Sequence, residues 1–180
     1  MKTMKTLQST DVPSGAPAKR VGLYPGSFDP FTRGHESIVL RALPLFDEVV
    51  IAIGVNIRKQ SLTSMEQREA MIRSVFRAEP KVKVVTYTGL TTDVARRCGA
   101  QFLLRGVRMI QDFENEMHMA EVNRELSGIE TVLLYTLPEY SHISSSIVRE
   151  LVKYGQDVSD YLPRGLDHSL IPHNWVTVSR

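Results

Sequence analysis

The sequence predicts an α/β fold, with one domain in which a five-stranded parallel sheet carries helices on both faces. From residue 21 onward, short apolar segments alternate with segments of helical periodicity, which is typical of βαβ units. Most of the apolar segments are continuous, as expected for strands that are covered on both faces. The 180 residues suit one domain with a single substantial core, and no Gly- or Pro-rich linker interrupts residues 21–165.

Five strands and the helices between them are predicted from these segments. The strands are Val21–Tyr24, Glu48–Ile53, Val82–Tyr87, Phe102–Leu104 and Thr131–Tyr135. The helices are Gly34–Leu45, Ser64–Ala78, Thr92–Cys98 and Asp112–Leu126. Ser64 stands three residues before Gln67, which is a capping-box arrangement, and we expect Asp112 to be the N-cap of its helix.

The two ends of the chain are expected to lie outside this domain. Residues 1–20 contain no apolar run that could act as a signal sequence or span a bilayer, so we interpret them as a flexible N-terminal extension. Residues 166–180 form a C-terminal tail. Its His168, His173 and Trp175 are more typical of packing or an oligomer contact than of a metal site, and we assign the tail no chemistry.

Charge and cysteine content exclude several classes of protein. Lys and Arg number 22 against 20 Asp and Glu, and a net charge of +2 is too balanced to hold a nucleic acid by bulk electrostatics. The single Cys98 can form neither an internal disulfide nor a cysteine metal site. We therefore expect a reduced, cytoplasmic protein with no nucleic-acid and no membrane partner.

The strongest functional motif runs from Tyr24 to His35, between the first predicted strand and the first helix. In an open α/β sheet, ligands bind beyond the carboxyl ends of the strands. Gly26 permits close approach of the backbone, and Ser27 supplies a hydroxyl. The helix that opens at Gly34 and His35 has unpaired amides that favour an anion. The segment therefore predicts a phosphate site.

Other segments carry groups that also suit phosphates. Arg105 and Arg108 follow the fourth predicted strand, where paired guanidinium donors can hold phosphate groups. Hydroxyl groups at residues 144–146 lie at the start of a further helix, a position that serves anion binding or simple capping. Lys59 lies in the loop after the second strand, where a lysine taken alone is more typical of solvated surface.

These segments together resemble the motifs of one enzyme superfamily. Ser27–Pro30 followed by Thr32–His35 resembles the T/H-x-G-H signature of the nucleotidyltransferases, with Ser27 in place of the usual Thr. Arg105–Glu116 resembles, more narrowly, the R-G-x-R turn and D-F-E-x-E block of phosphopantetheine adenylyltransferases. Tyr140–Glu150 resembles the I-S-S-S/T-x-[VI]-R-[EK] motif of the same superfamily. The resemblance covers residues 21 to about 165 and implies a Rossmann-like domain.

The resemblance also implies roles for individual residues. His35, Lys59 and Arg108 are the implied catalytic residues. The implied acceptor-binding residues are Ser27, Lys59, Thr91 and Arg105, and Thr91 stands where the family usually has a larger apolar side chain. The implied ATP-binding residues are Ser27, Phe28, His35, Gly106, Val107, Arg108, Glu116, Tyr140, Ser141, His142, Ile143, Ser144, Ser145 and Ser146.

The activity implied by the resemblance is transfer of AMP from ATP to 4′-phosphopantetheine, which gives dephospho-coenzyme A and pyrophosphate. The acceptor phosphate is already a nucleophile at neutral pH, so direct in-line attack needs no general base. Mg²⁺ is expected to arrive with ATP, because the sequence has no carboxylate cluster for a dedicated metal site. The resemblance further implies a homohexamer, and coenzyme A is considered as a feedback ligand.

Three alternatives stay open. A nicotinate mononucleotide adenylyltransferase would share the T/H-x-G-H signature but lack the Arg105–Glu116 block. A cytidylyltransferase acting on a polyol phosphate would prefer CTP and carry a different sequence before its final Ser/Thr turn. A non-catalytic adenine-nucleotide sensor would need neither His35 nor Lys59, since a binding module has no need of a transition-state donor.

Overall fold

A computed structural model describes residues 18–54 and 61–176 of the chain. Its strands are β1 (Val21–Gly26), β2 (Glu48–Gly54), β3 (Val82–Tyr87), β4 (Phe102–Val107) and β5 (Glu130–Tyr135). Its α-helices are α1 (Arg33–Ala42), α2 (Met65–Val75), α3 (Thr91–Arg97), α4 (Ile110–Ser127) and α5 (Ser145–Lys153). Short 3₁₀ turns occur at Pro138–Tyr140, Ser159–Tyr161, His168–Leu170 and His173–Trp175.

The five strands form one parallel sheet in the order β3-β2-β1-β4-β5. Hydrophobic clusters cover both of its faces, because neighbouring residues of a strand point to opposite sides. On one face, Val49 and Ile51 pack in a cluster with residues of α1 and α2; on the other, Val50 and Ala52 pack with residues of α3. The predicted fold class, a parallel sheet with helices on both faces, is confirmed.

The sheet opens between β1 and β4. Pairing of β1 with β2 runs along the whole strand from Val21 to Gly26, but pairing of β1 with β4 stops after Gly22 and Leu23. Beyond that point β4 continues to pair only with β5, up to Val107. The carboxyl ends of β1 and β4 therefore diverge where the strand order reverses, and this is the place at which open α/β sheets bind ligands.

The C-terminal segment is packed against the domain. Trp175 is only 1% exposed and lies in a cluster with Met71 of α2 and Val148 of α5. The backbone N–H of Val158 donates to the carbonyl of Trp175 at 2.9 Å. Within residues 18–54 and 61–176, none of the helices combines the length and apolar character needed to cross a bilayer.

Local predictions succeed at some helix ends and fail at one. The capping box of Ser64 and Gln67 is confirmed. The expectation that Asp112 caps its helix is wrong: α4 begins at Ile110 after the N-cap Met109, and the carboxylate of Asp112 accepts hydrogen bonds from Arg108 instead. The fourth strand also continues to Val107, three residues beyond its predicted end, so the R-G-x-R segment begins inside the strand.

Candidate active site

A cavity of about 330 Å³ lies at the opening between β1 and β4. Its walls come from the end of β1, the loop that follows, the start of α1, β4, α4 and the start of α5. It is lined by many of the residues that the sequence singled out, namely Ser27, Phe28, His35, Arg105, Gly106, Arg108, Glu116, Ile143, Ser144, Ser145 and Ser146. The fold thus brings the three motifs, distant in sequence, to one place.

Some of the singled-out residues lie elsewhere. Val107 is buried beside the cavity and lines a neighbouring apolar cleft with Phe113. Thr91 lines a second cavity, described below. The lining of the main cavity does not include Tyr140, Ser141 or His142, which form the turn that leads into α5. Lys59 lies outside the residues that the structure describes.

His35 is fixed at the third position of α1. The backbone N–H of Thr32 donates to its Nδ1 at 3.0 Å, and the hydroxyl of Thr32 lies 3.0 Å from the same nitrogen. Since Nδ1 accepts from a backbone N–H, the neutral ring carries its proton on Nε2. The rings of Phe28 and Phe31 pack around the imidazole, with centroids 5.2 and 5.4 Å away. His35 is therefore an oriented donor at the cavity wall.

The charge state of His35 follows from its surroundings. Burial of the ring, together with the smaller effect of the positive charges of Arg108 and Arg105, lowers its pKa to about 4. The imidazole is therefore neutral at pH 7 in the ligand-free protein. A neutral ring with an Nε2–H can donate to an oxygen on which negative charge develops, without first having to lose a proton.

The loop between β1 and α1 has an unusual backbone. Phe28 adopts φ of 46°, a left-handed conformation that is uncommon for a bulky residue. A Cβ added to Gly26 would lie 2.7 Å from Cζ of Phe28, so the ring needs a glycine at this position. The buried ring in turn packs against His35. The glycine that the sequence singled out thus makes room for the aromatic neighbour of His35.

Contacts from other elements hold this loop. The buried carboxylate of Asp29 accepts from the backbone N–H of Leu62 at 2.8 Å, and from the N–H and hydroxyl of Thr63 at 3.0 and 2.8 Å. Arg149 of α5 donates to the Asp29 carbonyl at 2.8 Å. Ser145 donates to the Pro30 carbonyl at 2.8 Å. Asp29 is therefore a structural anchor, a role that its place in a turn sequence could not reveal.

Arg105 is paired with Glu116 across the cavity wall. Its Nε donates to one carboxylate oxygen at 2.6 Å and Nη2 donates to the other, while Nη1 donates to the carbonyl of Pro25 at 2.9 Å. The last bond bridges β4 to β1 where their backbone pairing has stopped. The ion pair with Glu116 raises the pKa of Arg105 against the opposing effect of burial. Arg105 therefore stays charged in a fixed orientation.

Arg108 is held at the rim of the cavity. Its Nε donates to the carboxylate of Asp112 at 3.1 Å, and its backbone N–H donates to the same oxygen at 3.2 Å. About a third of the Arg108 side chain is exposed, at 33%. Arg105 is tied to both α4 and β1, whereas the hydrogen bonds of Arg108 among the described residues run to Asp112 of α4.

The start of α5 forms the opposite wall. The hydroxyl of Ser144, the N-cap residue, accepts from the backbone N–H of Ile147 at 3.2 Å. Ser144, Ser145 and Ser146 all line the cavity, together with Arg149. The unpaired amides at a helix N-terminus and the nearby guanidinium suit an anion such as a polyphosphate.

A second cavity of about 180 Å³ adjoins the first. The two share Pro25, Arg105 and Glu116 in their walls, so the Arg105–Glu116 pair stands at the boundary between them. Thr91 and Asn123 line the second cavity. The hydroxyl of Thr91 lies 3.0 Å from that of Tyr87. An elongated ligand could therefore place its phosphate end at Arg105 and its remainder toward Thr91.

The carboxylates around the cavity determine whether it could hold a metal ion. Within the described part of the chain, no group of three or more His, Cys, Asp and Glu side chains is placed to hold a metal ion. The carboxylates at the cavity are engaged by arginines, Glu116 by Arg105 and Asp112 by Arg108. These donors do not fit a resident metal centre, so a metal ion would have to enter with an anionic ligand.

Comparisons with known proteins agree with this picture. The cytidylyltransferase-like family model matches residues 23–151. A phosphopantetheine adenylyltransferase from Porphyromonas gingivalis is 53% identical over 147 residues, which are 82% of this chain and 96% of that relative. One from Bacteroides thetaiotaomicron is 48% identical over 148 residues, which are 82% of this chain and 98% of that relative.

A solved structure has a similar fold. The crystal structure of a bifunctional NMN adenylyltransferase/ADP ribose pyrophosphatase from Francisella tularensis superposes with a TM-score of 0.64 at 15% sequence identity. The match covers 82% of this chain and 46% of that one, so this chain spans about half the length of that protein. At this identity the likeness concerns the fold alone.

Proposed function

This chain belongs to the phosphopantetheine adenylyltransferase family, and from that premise we propose how its residues transfer AMP from ATP to 4′-phosphopantetheine. The observation that carries the proposal is His35, a neutral imidazole with its proton on Nε2, which lines one cavity together with Arg105, Arg108 and the serines at the start of α5. ATP occupies the main cavity. The acceptor occupies the second cavity, with its phosphate at Arg105.

The chemical step is a direct displacement. An oxygen of the acceptor phosphate forms a bond to the α-phosphorus of ATP as the bond from that phosphorus to the bridging oxygen of pyrophosphate breaks. Pyrophosphate leaves with the electron pair, and the product is dephospho-coenzyme A. His35 donates from Nε2 to a non-bridging oxygen of the α-phosphate, where charge builds up in the transition state.

The cationic residues bring two anions together. Arg105 holds the acceptor phosphate in a fixed direction, because Glu116 and the Pro25 carbonyl orient its guanidinium. Arg108 and the amides at the start of α5 bind the phosphates of ATP. Lys59 contributes the charge that bridges the two substrates, as the family motif implies. Ser27 adds a hydroxyl in the wall of the main cavity. Positioning and charge neutralisation supply the catalysis.

Mg²⁺ belongs to the substrate in this proposal. It would enter as the counter-ion of the ATP phosphates and offset their negative charge, since the described carboxylates Glu116 and Asp112 are engaged by arginines. Coenzyme A has both an adenine nucleotide and the arm of the acceptor, so it would span the two cavities and compete with both substrates. Such competition would give feedback inhibition in the cytoplasm, where we place the enzyme.

We also propose that the protein is a homohexamer built on α4. None of the described residues of α4 is buried, although the helix carries Phe113, Met119, Val122 and Leu126. The exposed fractions of Met119 and Leu126 are 53% and 56%. An apolar surface of this kind is typical of an interface between subunits.

Pyrophosphate release tests the function. The purified protein is incubated with ATP and Mg²⁺ and with either 4′-phosphopantetheine or nicotinate mononucleotide as acceptor. We expect turnover with 4′-phosphopantetheine only, and a loss of about 10² or more in kcat for His35→Ala. The control is His168→Ala, since His168 is exposed and lies in the C-terminal segment.

Two outcomes would contradict the proposal. Turnover with nicotinate mononucleotide instead would show that 4′-phosphopantetheine is the wrong acceptor, although the protein would still be an adenylyltransferase. Binding of ATP without pyrophosphate release on either acceptor would indicate a nucleotide sensor.

A further inference from the structure

Arg68 of α2 is a buried cation behind the cavity. Its residue exposure is 5%, and it is not part of the cavity lining. Nη1 donates to the carbonyl of Ser27 at 2.7 Å, and Nε donates to the carbonyl of Ser64 at 3.3 Å. Among the residues that the structure describes, no carboxylate lies within ion-pair distance of Arg68. Arginine is rarely buried without such a partner, so this placement needs an explanation.

The bond to Ser27 fixes the direction of one peptide group. The Ser27–Phe28 peptide is trans, because the cis bond in the described chain is Asp29–Pro30. In a trans peptide the carbonyl and the following N–H point in opposite directions. Since the Ser27 carbonyl accepts from Arg68, which is not a lining residue, the N–H of Phe28 points away from Arg68; both Ser27 and Phe28 line the cavity.

The surrounding structure has to hold this peptide in place, because the backbone conformation of Phe28 is locally unfavourable. Phe28 holds φ of 46°, which a bulky residue adopts only when its surroundings impose it. The Arg68 bond acts on the peptide immediately before Phe28, and the Asp29 carboxylate anchors the residue immediately after it to Leu62 and Thr63. Two buried charged side chains therefore bracket the one strained residue of the loop.

We propose that Arg68 is a positioning residue for adenylyl transfer. By holding the Ser27 carbonyl it keeps the Phe28 N–H and the Ser27 hydroxyl aimed at the phosphates of ATP, without touching the substrate. The inference rests on the proposed function, which puts those phosphates in the main cavity. The role would explain why an arginine, with several donors in a fixed fork, occupies a site where the described residues offer it carbonyl oxygens and no carboxylate.

The test compares Arg68→Met, Arg68→Lys and the matched control Arg73→Met. Arg73 lies on the same helix and also donates to a backbone carbonyl, that of Val84 at 2.7 Å, but its side chain is 55% exposed. For each protein, kcat for pyrophosphate release is measured, together with Kd for ATP and for adenosine. Adenosine lacks the phosphates and so reports on the rest of the site.

We expect Arg68→Met to lower kcat by about 10- to 100-fold and to weaken ATP binding, because a misplacement of about 1 Å can cost that much. Adenosine binding should change by less than about twofold, which a general loosening of the protein would not allow. Arg68→Lys keeps one donor and should recover part of the loss. Arg73→Met should behave like the wild type.

The inference is overturned if folded Arg68→Met binds ATP and turns over like the wild type, or if its ATP and adenosine affinities fall equally. If Arg68→Met does not fold, Arg68→Lys decides: wild-type kcat and ATP affinity would overturn the role, and a selective loss for ATP would support it. The failure of the proposed function is a separate result. It would appear as a wild-type protein that releases no pyrophosphate, and the two affinities would still test Arg68.

Discussion

The backbone N–H of Thr32 donates to Nδ1 of His35 at 3.0 Å. This contact spans three residues at the start of α1 and fixes both the direction of the imidazole and the nitrogen that carries its proton. The three-residue spacing of Thr32 and His35 in the signature therefore has a physical reason, because the backbone N–H and the hydroxyl of Thr32 both lie 3.0 Å from Nδ1. His35 can then act by donation from Nε2.

The lowered pKa of His35 should be visible in the pH dependence of the free energy of unfolding. Its pKa is about 4 in the folded protein, against 6.5 as the ordinary value. Between these values the unfolded chain binds a proton that the folded protein does not, so the free energy of unfolding falls as pH falls. In urea unfolding of the ligand-free protein, we expect the wild type to lose on the order of 1–3 kcal/mol more than His35→Gln between about pH 7 and 4.5. Equal losses would show that the pKa of His35 is not lowered.

Glu116→Gln should show how much the fixed orientation of the Arg105 guanidinium contributes, because the variant leaves the charge of Arg105 in place. The variant removes the carboxylate that two guanidinium N–H groups hold. Because the Arg105 side chain is 35% exposed, water screens the pair, and we expect the free energy of unfolding to fall by only about 1 kcal/mol. The value of kcat/KM for 4′-phosphopantetheine should fall by about 10-fold, since the guanidinium is no longer fixed. The exposed Glu114→Gln on the same helix is the control; an unchanged kcat/KM in Glu116→Gln would contradict the proposed role.

Gly26→Ala should damage the phosphate loop. The added Cβ would lie 2.7 Å from the Phe28 ring, which must then move from its contact with His35. We expect a loss of about 1–3 kcal/mol in the free energy of unfolding, as for other overpacked sites, and weaker ATP binding by calorimetry. Gly165→Ala is the matched control, because its Cβ would meet its nearest atom, the Val75 carbonyl oxygen, at 3.4 Å. Similar effects of the two substitutions would contradict this account.

Trp175→Ala should destabilise the whole domain. Trp175 is 1% exposed and packs with residues of α2 and α5. Loss of a buried aromatic side chain costs about 3–5 kcal/mol, which thermal or urea unfolding would detect. His173→Ala, two residues earlier and exposed, should change stability by less than about 0.5 kcal/mol. If Trp175→Ala unfolds like the wild type, the C-terminal segment is not part of the core.

Val122→Glu should break the proposed hexamer. Val122 is 46% exposed on α4, and a charge there would be buried without a partner in an interface built on this helix. Analytical ultracentrifugation should give a mass of six chains for the wild type and a smaller species for the variant. Leu40→Glu is the control, since Leu40 is similarly exposed, at 50%, but lies on α1. A monomeric wild type would end the hexamer proposal.

Local patterns in the sequence were enough for the secondary structure and the site motifs. Apolar segments, most of them continuous, predicted all five strands, and the Ser64–Gln67 pair predicted the start of α2. The segments around His35, Arg105 and Ser145 were recognisable because binding groups stand at short, fixed spacings. All three come together in one cavity, since the carboxyl ends of parallel strands share one edge of the sheet.

Long-range contacts were not predictable in this way. Arg68 lies 41 residues from Ser27, and Asp29 lies 34 from Thr63, so no spacing rule connects them. Asp112 was expected to cap α4 because Asp favours that position, but three hydrogen bonds from Arg108 compete for its carboxylate. The second cavity also depends on how α4 packs beside β4, which the sequence of either element leaves open.

The sequence by itself determined the order of strands and helices, the parallel sheet and the identity of the groups at its carboxyl edge, because periodicity and motif spacing are properties of neighbouring residues. Only the tertiary structure decided that β1 and β4 part after Leu23, that Arg105 faces Glu116 and that Arg68 supports Ser27. Those relationships arise from register and packing between segments far apart in the chain, where the free energy of the whole fold, rather than any local preference, selects which groups meet.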